Sequence, residues 1–270
     1  MRLTKHHGLG NEFLIALEDE LPADPDKLAK RWCDRTGGEG ADGLIFGLPG
    51  DPDADIDITM VLFNADGSRA EISGNGIRCL AQAVLRQPDR ADGGAASLMI
   101  ATDAGIRQVS VHSDEEGRSV NDARAVRAWV NMGPVTMSRK PVDIDYPHAL
   151  RMARLDVGNP HLVILVPDVD AVDVAADGER LSAQAGGVNV QFISERPGED
   201  AIDLRVWERG VGVTQACGTG ACAAARAARQ WGLVGTQLQV FMLGGDVVVQ
   251  LVGDDVTLIG PAVYVEPEKL

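Results

Sequence analysis

The sequence predicts an α+β fold made of two pseudo-symmetric halves, each a set of strands that leads through a turn into a helix. Three observations carry this. Leu204-Arg205-Val206-Trp207 reads as a strand that empties through Glu208-Arg209-Gly210-Val211-Gly212 into Cys217-Gly218-Thr219-Gly220, and residues 221–231 are strong helix formers with no breaker before Gly232. The same order occurs earlier, with a strand over 56–63, then Asn64-Ala65-Asp66-Gly67-Ser68, then Ser73-Gly74-Asn75-Gly76 and a helix over 77–85. The register is nearly constant: Ser73 and Cys217 lie 144 positions apart, as do Asn64 and Glu208, and Gly10-Asn11 and Gly158-Asn159 are offset by 148.

Taken in order, residues 3–5 and 13–17 read as strands flanking a Gly-rich loop, 6–12, which is a candidate binding element. His6 and His7 are adjacent, so on a strand they point to opposite faces, and no second cluster completes a metal site. Residues 25–35 predict a helix with Pro25 near its start, and Cys33 within it reads as a small buried side chain. Residues 87–94 form a polar loop, followed by two strands joined by a turn at 103–105. The polar, Gly-containing stretch 113–119 is the expected join, which gives a first half over 1–117 and a second over 118–262, with a final strand, 263–270, able to return to the first.

In the second half, 125–132 and 154–157 are expected strands, 158–161 a turn, 162–166 a strand and 177–185 a short helix. Residues 188–193 read as a strand carrying Asn189 among apolar residues, and a buried amide there needs partners. Three further strands are expected around 238–242, 246–252 and 256–259.

Bulk properties narrow the function. With 270 residues and 45% apolar content, the chain holds enough material for real cores. A net charge of −15 with no Lys/Arg cluster argues against nucleic acid as a partner. Four cysteines without a CxxC pair or zinc-like histidine spacing point to a reducing compartment and to thiols used singly. No segment approaches the ~20 apolar residues of a membrane span, and residues 1–5 carry no signal-peptide core, so a cytoplasmic location is expected.

Cys217 is the candidate catalytic group. It sits where a helix begins, and there the unpaired backbone N–H groups and the positive end of the helix dipole favour thiolate over thiol. The glycines beside it let a substrate carboxylate approach the same N–H groups. Cys79 and Cys222 fall inside the two helices and read as core fillers.

Asn64 to Ser68, Gly74-Asn75-Gly76-Ile77-Arg78, Gly158-Asn159-Pro160-His161, Asn189, Glu208 to Gly212 and Cys217-Gly218-Thr219-Gly220 together resemble the diaminopimelate epimerase family, over nearly the whole chain. The resemblance implies an epimerase, independent of pyridoxal phosphate and of any other cofactor or metal, that interconverts LL- and meso-2,6-diaminoheptanedioate for lysine and peptidoglycan synthesis. It implies two domains, each a mixed β-sheet or barrel wrapped around a central helix, an active site between them, and a homodimer. It further implies that Asn11, Asn64, Asn159, Asn189, Glu208 and Arg209 bind the distal ammonium and carboxylate. Gly74, Asn75, Gly218 and Thr219 would hold the reacting carboxylate, and His161 and Glu208 would tune the sulfur pKa. Near Gly43 some branches of the family carry a bulkier polar residue, and that contact is not carried over.

One position departs from the pattern. The family has a second catalytic cysteine where this chain has Ser73. A serine hydroxyl is a poor acid and base beside a thiol, so the two-base reaction is expected to be impaired. Three explanations stay open: a substitution made to stop turnover, a natural epimerase using Ser73 or its water, or a divergent relative in the proline-racemase group such as a hydroxyproline dehydratase. From a different class, a non-catalytic amino-acid-binding protein is the alternative.

Overall fold

The computed structural model describes residues 1–87, 95–115 and 118–265. Most of the expected loop at 87–94, residues 116 and 117 of the expected join, and the last five positions of the expected strand 263–270 therefore lie outside the described residues. The chain divides into two compact units, Met1–Asn131 together with the stretch that begins at Gly260, and Met132–Ile259.

The elements of the first part of the chain are β1 (Leu3–Gly8), β2 (Asn11–Leu17), α1 (Pro25–Trp32), β3 (Gly43–Pro49), β4 (Ile58–Asn64), β5 (Arg69–Ala70), α2 (Gly74–Leu85), β6 (Ala95–Thr102), β7 (Gly105–Ser113) and β8 (Ala125–Pro134). The rest are β9 (Thr136–Met137), β10 (Arg151–Asp156), β11 (Pro160–Leu165), α3 (Val174–Gln184), β12 (Asn189–Glu195), β13 (Ala201–Glu208), β14 (Gly212–Thr214), α4 (Gly218–Gln230), β15 (Gln237–Met242), β16 (Gly245–Val252) and β17 (Asp255–Val265).

In the first unit the strand pairings run β1-β2-β3-β4-β6-β7-β8-β17 and return to β1, a closed ring. The Tyr264 N–H bonded to Arg124 O helps to close it. Helix α2 packs against β1, β2, β3, β6 and β7, and every one of its residues is buried. A helix enclosed on all sides has to be apolar or small all round. Its sequence, Gly74 to Leu85, obeys this except at Asn75, Arg78 and Gln82, whose polar atoms are bonded internally. Arg78 donates to Gly74 O, Asn75 Oδ1 and Pro261 O, and Gln82 bonds His6 and Arg124 O.

The second unit repeats the plan. Strands β9, β10, β11, β12, β13, β15, β16 and β17 pair in series around α4, and Val135 N–H donates to Asp254 O where the series comes round. Helix α3 covers β12 and β13 from the other side, as α1 covers β3 and β4. Strands covered on both faces read as continuous apolar runs rather than alternating ones. One face of β2 to β4, with Leu14, Ala16, Leu44, Phe46, Val61 and Phe63, joins Ala29 and Cys33 in a core on the α1 side. The expectation of two similar halves, each with strands wrapped around a central helix, is borne out.

The register repeats too. In the first unit β2 and β3 are parallel with Phe13 opposite Gly43, and β3 and β4 antiparallel with Gly43 opposite Asn64. In the second, β11 and β12 are parallel with His161 opposite Asn189, and the antiparallel pairing of β12 with β13 sets Val190 opposite Trp207, so Asn189 faces Glu208. His161, Asn189 and Glu208 thus occupy the positions that Phe13, Gly43 and Asn64 hold in the other half.

Four expectations need correction. The region 6–12 is no open loop: β1 and β2 pair as far as Gly8 and Asn11, and only Leu9 and Gly10, both with positive φ, form the turn of a tight hairpin. Helix α1 stops at Trp32 rather than at 35, because the Asp34 carboxylate accepts from Thr36 and Gly37 N–H and draws the chain into a turn. Strand β3 was not expected; Gly43, Gly47 and Pro49 are residues that disfavour a strand by their own propensity. At Gly47 a Cβ would come within 2.6 Å of Leu17 Cδ2 and 2.9 Å of Leu80 Cδ1, so the glycine lets this strand lie close beneath α2. Both central helices also begin earlier than expected, at Gly74 and Gly218, because the residue before each is a cap. Among the described residues no helix is long and apolar enough to cross a membrane.

Candidate active site

The two helix starts are built alike. Ser73 is the N-cap of α2 with φ −130° and ψ 122°, and its Oγ accepts from Gly76 N–H at 3.0 Å. Cys217 is the N-cap of α4 with φ −134° and ψ 115°, and its Sγ accepts from Gly220 N–H at 3.3 Å. Extended backbone followed by helix, with a side-chain acceptor on the third N–H, is ordinary capping geometry, and glycines there leave the first turn open. A hydroxyl in place of a thiol leaves the local backbone unchanged.

In the first unit Asn11, 8% exposed, sits at the start of β2. Its Oδ1 accepts from Asn75 Nδ2 at 3.1 Å and its Nδ2 donates to Asp42 Oδ2 at 3.0 Å, while Asp42 also accepts from Glu12 N–H and from Arg35. Asn64 ends β4, where its Nδ2 donates to Ser68 Oγ at 3.0 Å across a turn. The structure thus ties Asn11, Asn75 and the α2 start together and leaves Asn64 in its own turn, close in sequence order to Ser73 but bonded elsewhere.

The second unit carries the denser set. Asn159 Nδ2 donates to Thr219 Oγ1 at 3.4 Å, and Thr219 Oγ1 lies 3.4 Å from Cys217 Sγ. This repeats the Asn11–Asn75 contact at the corresponding positions. Asn159 Oδ1 lies 2.8 Å from His161 Nε2, and His161 Nδ1 lies 3.1 Å from Gln191 Oε1. Asn189 is held by backbone on both sides, donating to Pro160 O and accepting from Arg209 N–H. Glu208 accepts from Thr214 at 2.6 Å, and the exposed Arg209 side chain reaches back towards Gly187 O.

Burial dominates the electrostatics. Enclosure pushes His161 down to about 4, against a smaller opposing pull from its bond to Gln191, so the ring is neutral near pH 7. The expected thiolate at Cys217 is not what the environment favours. Burial first, and the Glu208 carboxylate second, raise this thiol well above its ordinary range, while the Thr219 hydroxyl and Gly220 N–H pull it down only in part. The helix start supplies donors, but the sulfur of a cysteine only 4% exposed loses more from leaving water than two donors return. Cys79, pushed up to about 12, and Cys33, to about 11, are buried thiols as expected. Among the described residues no group of three or more His, Cys, Asp and Glu could hold a metal ion.

Gln191 was missed by sequence reasoning. It is fully buried and bonds His161, and the signal was present: Asn189 and Gln191 are two apart on one strand, hence on one face, in an otherwise apolar run.

The sequence matches the diaminopimelate epimerase family over residues 3–137 and 154–265. It is 38% identical to the diaminopimelate epimerase of Pelotomaculum thermopropionicum, covering 97% of this chain and 96% of that one. It is 37% identical to the enzyme of the same name from Halothermothrix orenii, covering 100% and 98%. Among solved structures, a hydroxyproline epimerase from Agrobacterium vitis with bound trans-4-hydroxy-L-proline superposes with a TM-score of 0.73 at 16% identity, over 98% of this chain and 93% of that one. A phenazine biosynthesis protein from Bacillus anthracis gives 0.70 at 17% identity, over 98% of both chains. These structural likenesses speak for the fold alone.

Proposed function

The chain belongs to the diaminopimelate epimerase family, and from that premise we propose that Cys217 and Ser73 are the two groups that handle the α-proton of diaminopimelate. Epimerisation needs a proton removed from one face of a carbon and another delivered to the opposite face. Cys217 supplies the one strong candidate base; Ser73 holds the second place with a hydroxyl, as acid or through a bound water. The observation that carries this assignment is the match between the two helix starts, which agree in backbone angles and in the side-chain acceptor on the third N–H.

The α-proton of an amino acid is very weakly acidic, so the carbanionic state has to be stabilised by donors already in place. The backbone N–H groups at Gly74, Asn75, Gly218 and Thr219 are suited to the reacting carboxylate. Arg209 pairs with the distal carboxylate and Glu208 with the distal ammonium, while Asn11, Asn64, Asn159 and Asn189 supply amide donors and acceptors. A buried neutral Cys217 fits a site that ionises when substrate charge arrives, since an ammonium near the sulfur offsets Glu208. We take the enzyme to act as a cytoplasmic homodimer in lysine and peptidoglycan synthesis.

Deuterium wash-in tests the assignment. In D₂O the protein is expected to exchange the α-proton of one stereoisomer of diaminopimelate faster than it forms the other, because a single thiol returns most protons to the face they left. Cys217→Ala is expected to abolish that exchange. Equal exchange in both isomers, or exchange surviving the substitution, removes Cys217 from this role.

A further inference from the structure

The buried side chains around Cys217 form a nearly closed circuit: Sγ to Thr219 Oγ1, Thr219 to Asn159, Asn159 to His161 and His161 to Gln191. The gap in the circuit lies between Gln191 and the sulfur. Gln191 Nε2 is buried with no hydrogen-bond partner, and a Cβ placed on Gly220 would meet that nitrogen at 3.0 Å and Cys217 Sγ at 3.2 Å, so both border one small space. An orphaned buried donor costs stability unless it is put to use. A second oddity lies at the other end of the amide, where both ring nitrogens of His161 face carbonyl oxygens, Oε1 of Gln191 and Oδ1 of Asn159. A neutral imidazole donates to only one of them, whereas an imidazolium donates to both.

We propose that Gln191 is a positioning residue that couples the proton on Cys217 to His161. The inference rests on Cys217 being the base. With the thiol protonated, the amide is turned so that S–H donates to Oε1 and Nε2–H donates to the His161 Nδ1 lone pair; His161 Nε2–H, Asn159 and Thr219 then complete the circuit. On activation the S–H bond breaks and an Nδ1–H bond forms. The amide then has the orientation that the structure shows, Oε1 towards His161 Nδ1, where it accepts from the imidazolium, and Nε2, without a partner in the structure, turns its donor to the sulfur anion. One proton moves, and the net charge of the pair is unchanged. Burial opposes both charged forms; Asp156 on β10 favours the imidazolium and Arg209 opposes it, while Glu208 on β13 opposes the thiolate that Thr219 and Gly220 support.

Coupled groups titrate as a pair, each responding at both macroscopic steps. Carbon NMR of Cys217 Cβ and nitrogen NMR of the His161 ring, followed against pH in the unaltered protein, are expected to show both signals moving at both steps. One step for each signal overturns the proposal, with or without a folded variant. In Gln191→Met, close in volume but unable to bridge, the signals are expected to separate, and the Cys217 midpoint to rise so that thiolate falls roughly tenfold at a given pH. An unmoved midpoint also overturns it. Neither readout needs turnover, so a failed deuterium exchange with intact coupling counts against Cys217 as base and not against Gln191 as the bridge.

Discussion

Thr214 donates its hydroxyl proton to Glu208 Oε1 at 2.6 Å, which holds a carboxylate beside the buried sulfur of Cys217. A negative charge there disfavours a second one on sulfur, so removing it lowers the thiol pKa. Glu208→Gln keeps an oxygen for Thr214 and is expected to lower the Cys217 midpoint, read by carbon NMR. If Glu208 pairs the substrate ammonium, the same variant raises KM for diaminopimelate. A midpoint that rises contradicts the electrostatic account.

The matched caps predict what Ser73→Cys does. The backbone at 73 already has the conformation that a capping cysteine adopts at 217, so the substitution requires no rearrangement. LL-to-meso conversion is expected to rise ~10²-fold or more, the lower range of general acid–base assistance. An unchanged rate would show that Ser73 has no part in proton transfer.

Acid stability follows from two buried histidines. His6 and His161 are both held down to about 4 by burial, against 6.5 when unfolded. Between those values the unfolded chain binds more protons than the folded one, so stability is full above about pH 6.5 and is lost as pH falls towards 4. The loss approaches roughly 3 kcal/mol per histidine. Urea midpoints measured from pH 7 to 4 are expected to fall steadily, with a shallower slope in His6→Gln. A flat profile would rule out neutral burial.

Gly178 in α3 tests packing against propensity. Alanine there gains about 1 kcal/mol of helix propensity, but its Cβ would stand 2.4 Å from Trp207 Cβ and 2.6 Å from Cγ, atoms close to the backbone of β13 that yield little. Overpacking of that kind costs about 1–3 kcal/mol, so Gly178→Ala is expected to lower the Tm. A raised Tm would mean that α3 shifts freely on its sheet.

Much of this was legible in the residues. The constant offset between Ser73 and Cys217 exposed the duplication, because a repeated supersecondary unit keeps its spacing whatever its side chains become. The two helix starts were legible to within three residues, because a small polar residue before a Gly-rich stretch and a helix-forming run has few alternative uses. Strand β3 was not, since the reason for Gly47 lies on α2 and β2, remote in sequence. The same holds for the hairpin at Leu9 and Gly10, whose pairing with the preceding and following residues overrode a loop-like composition.

The sequence by itself determined the two-fold plan, the two helix starts and the family to which they belong, all of which depend on local order along the chain. Only the tertiary structure decided the state of the Cys217 thiol and the company of Gln191. A sequence places donors near a sulfur, but the cost of removing that sulfur from water depends on everything packed around it. Here that cost, with Glu208 added, outweighs the helix start and leaves a neutral thiol within a circuit of amides and imidazole.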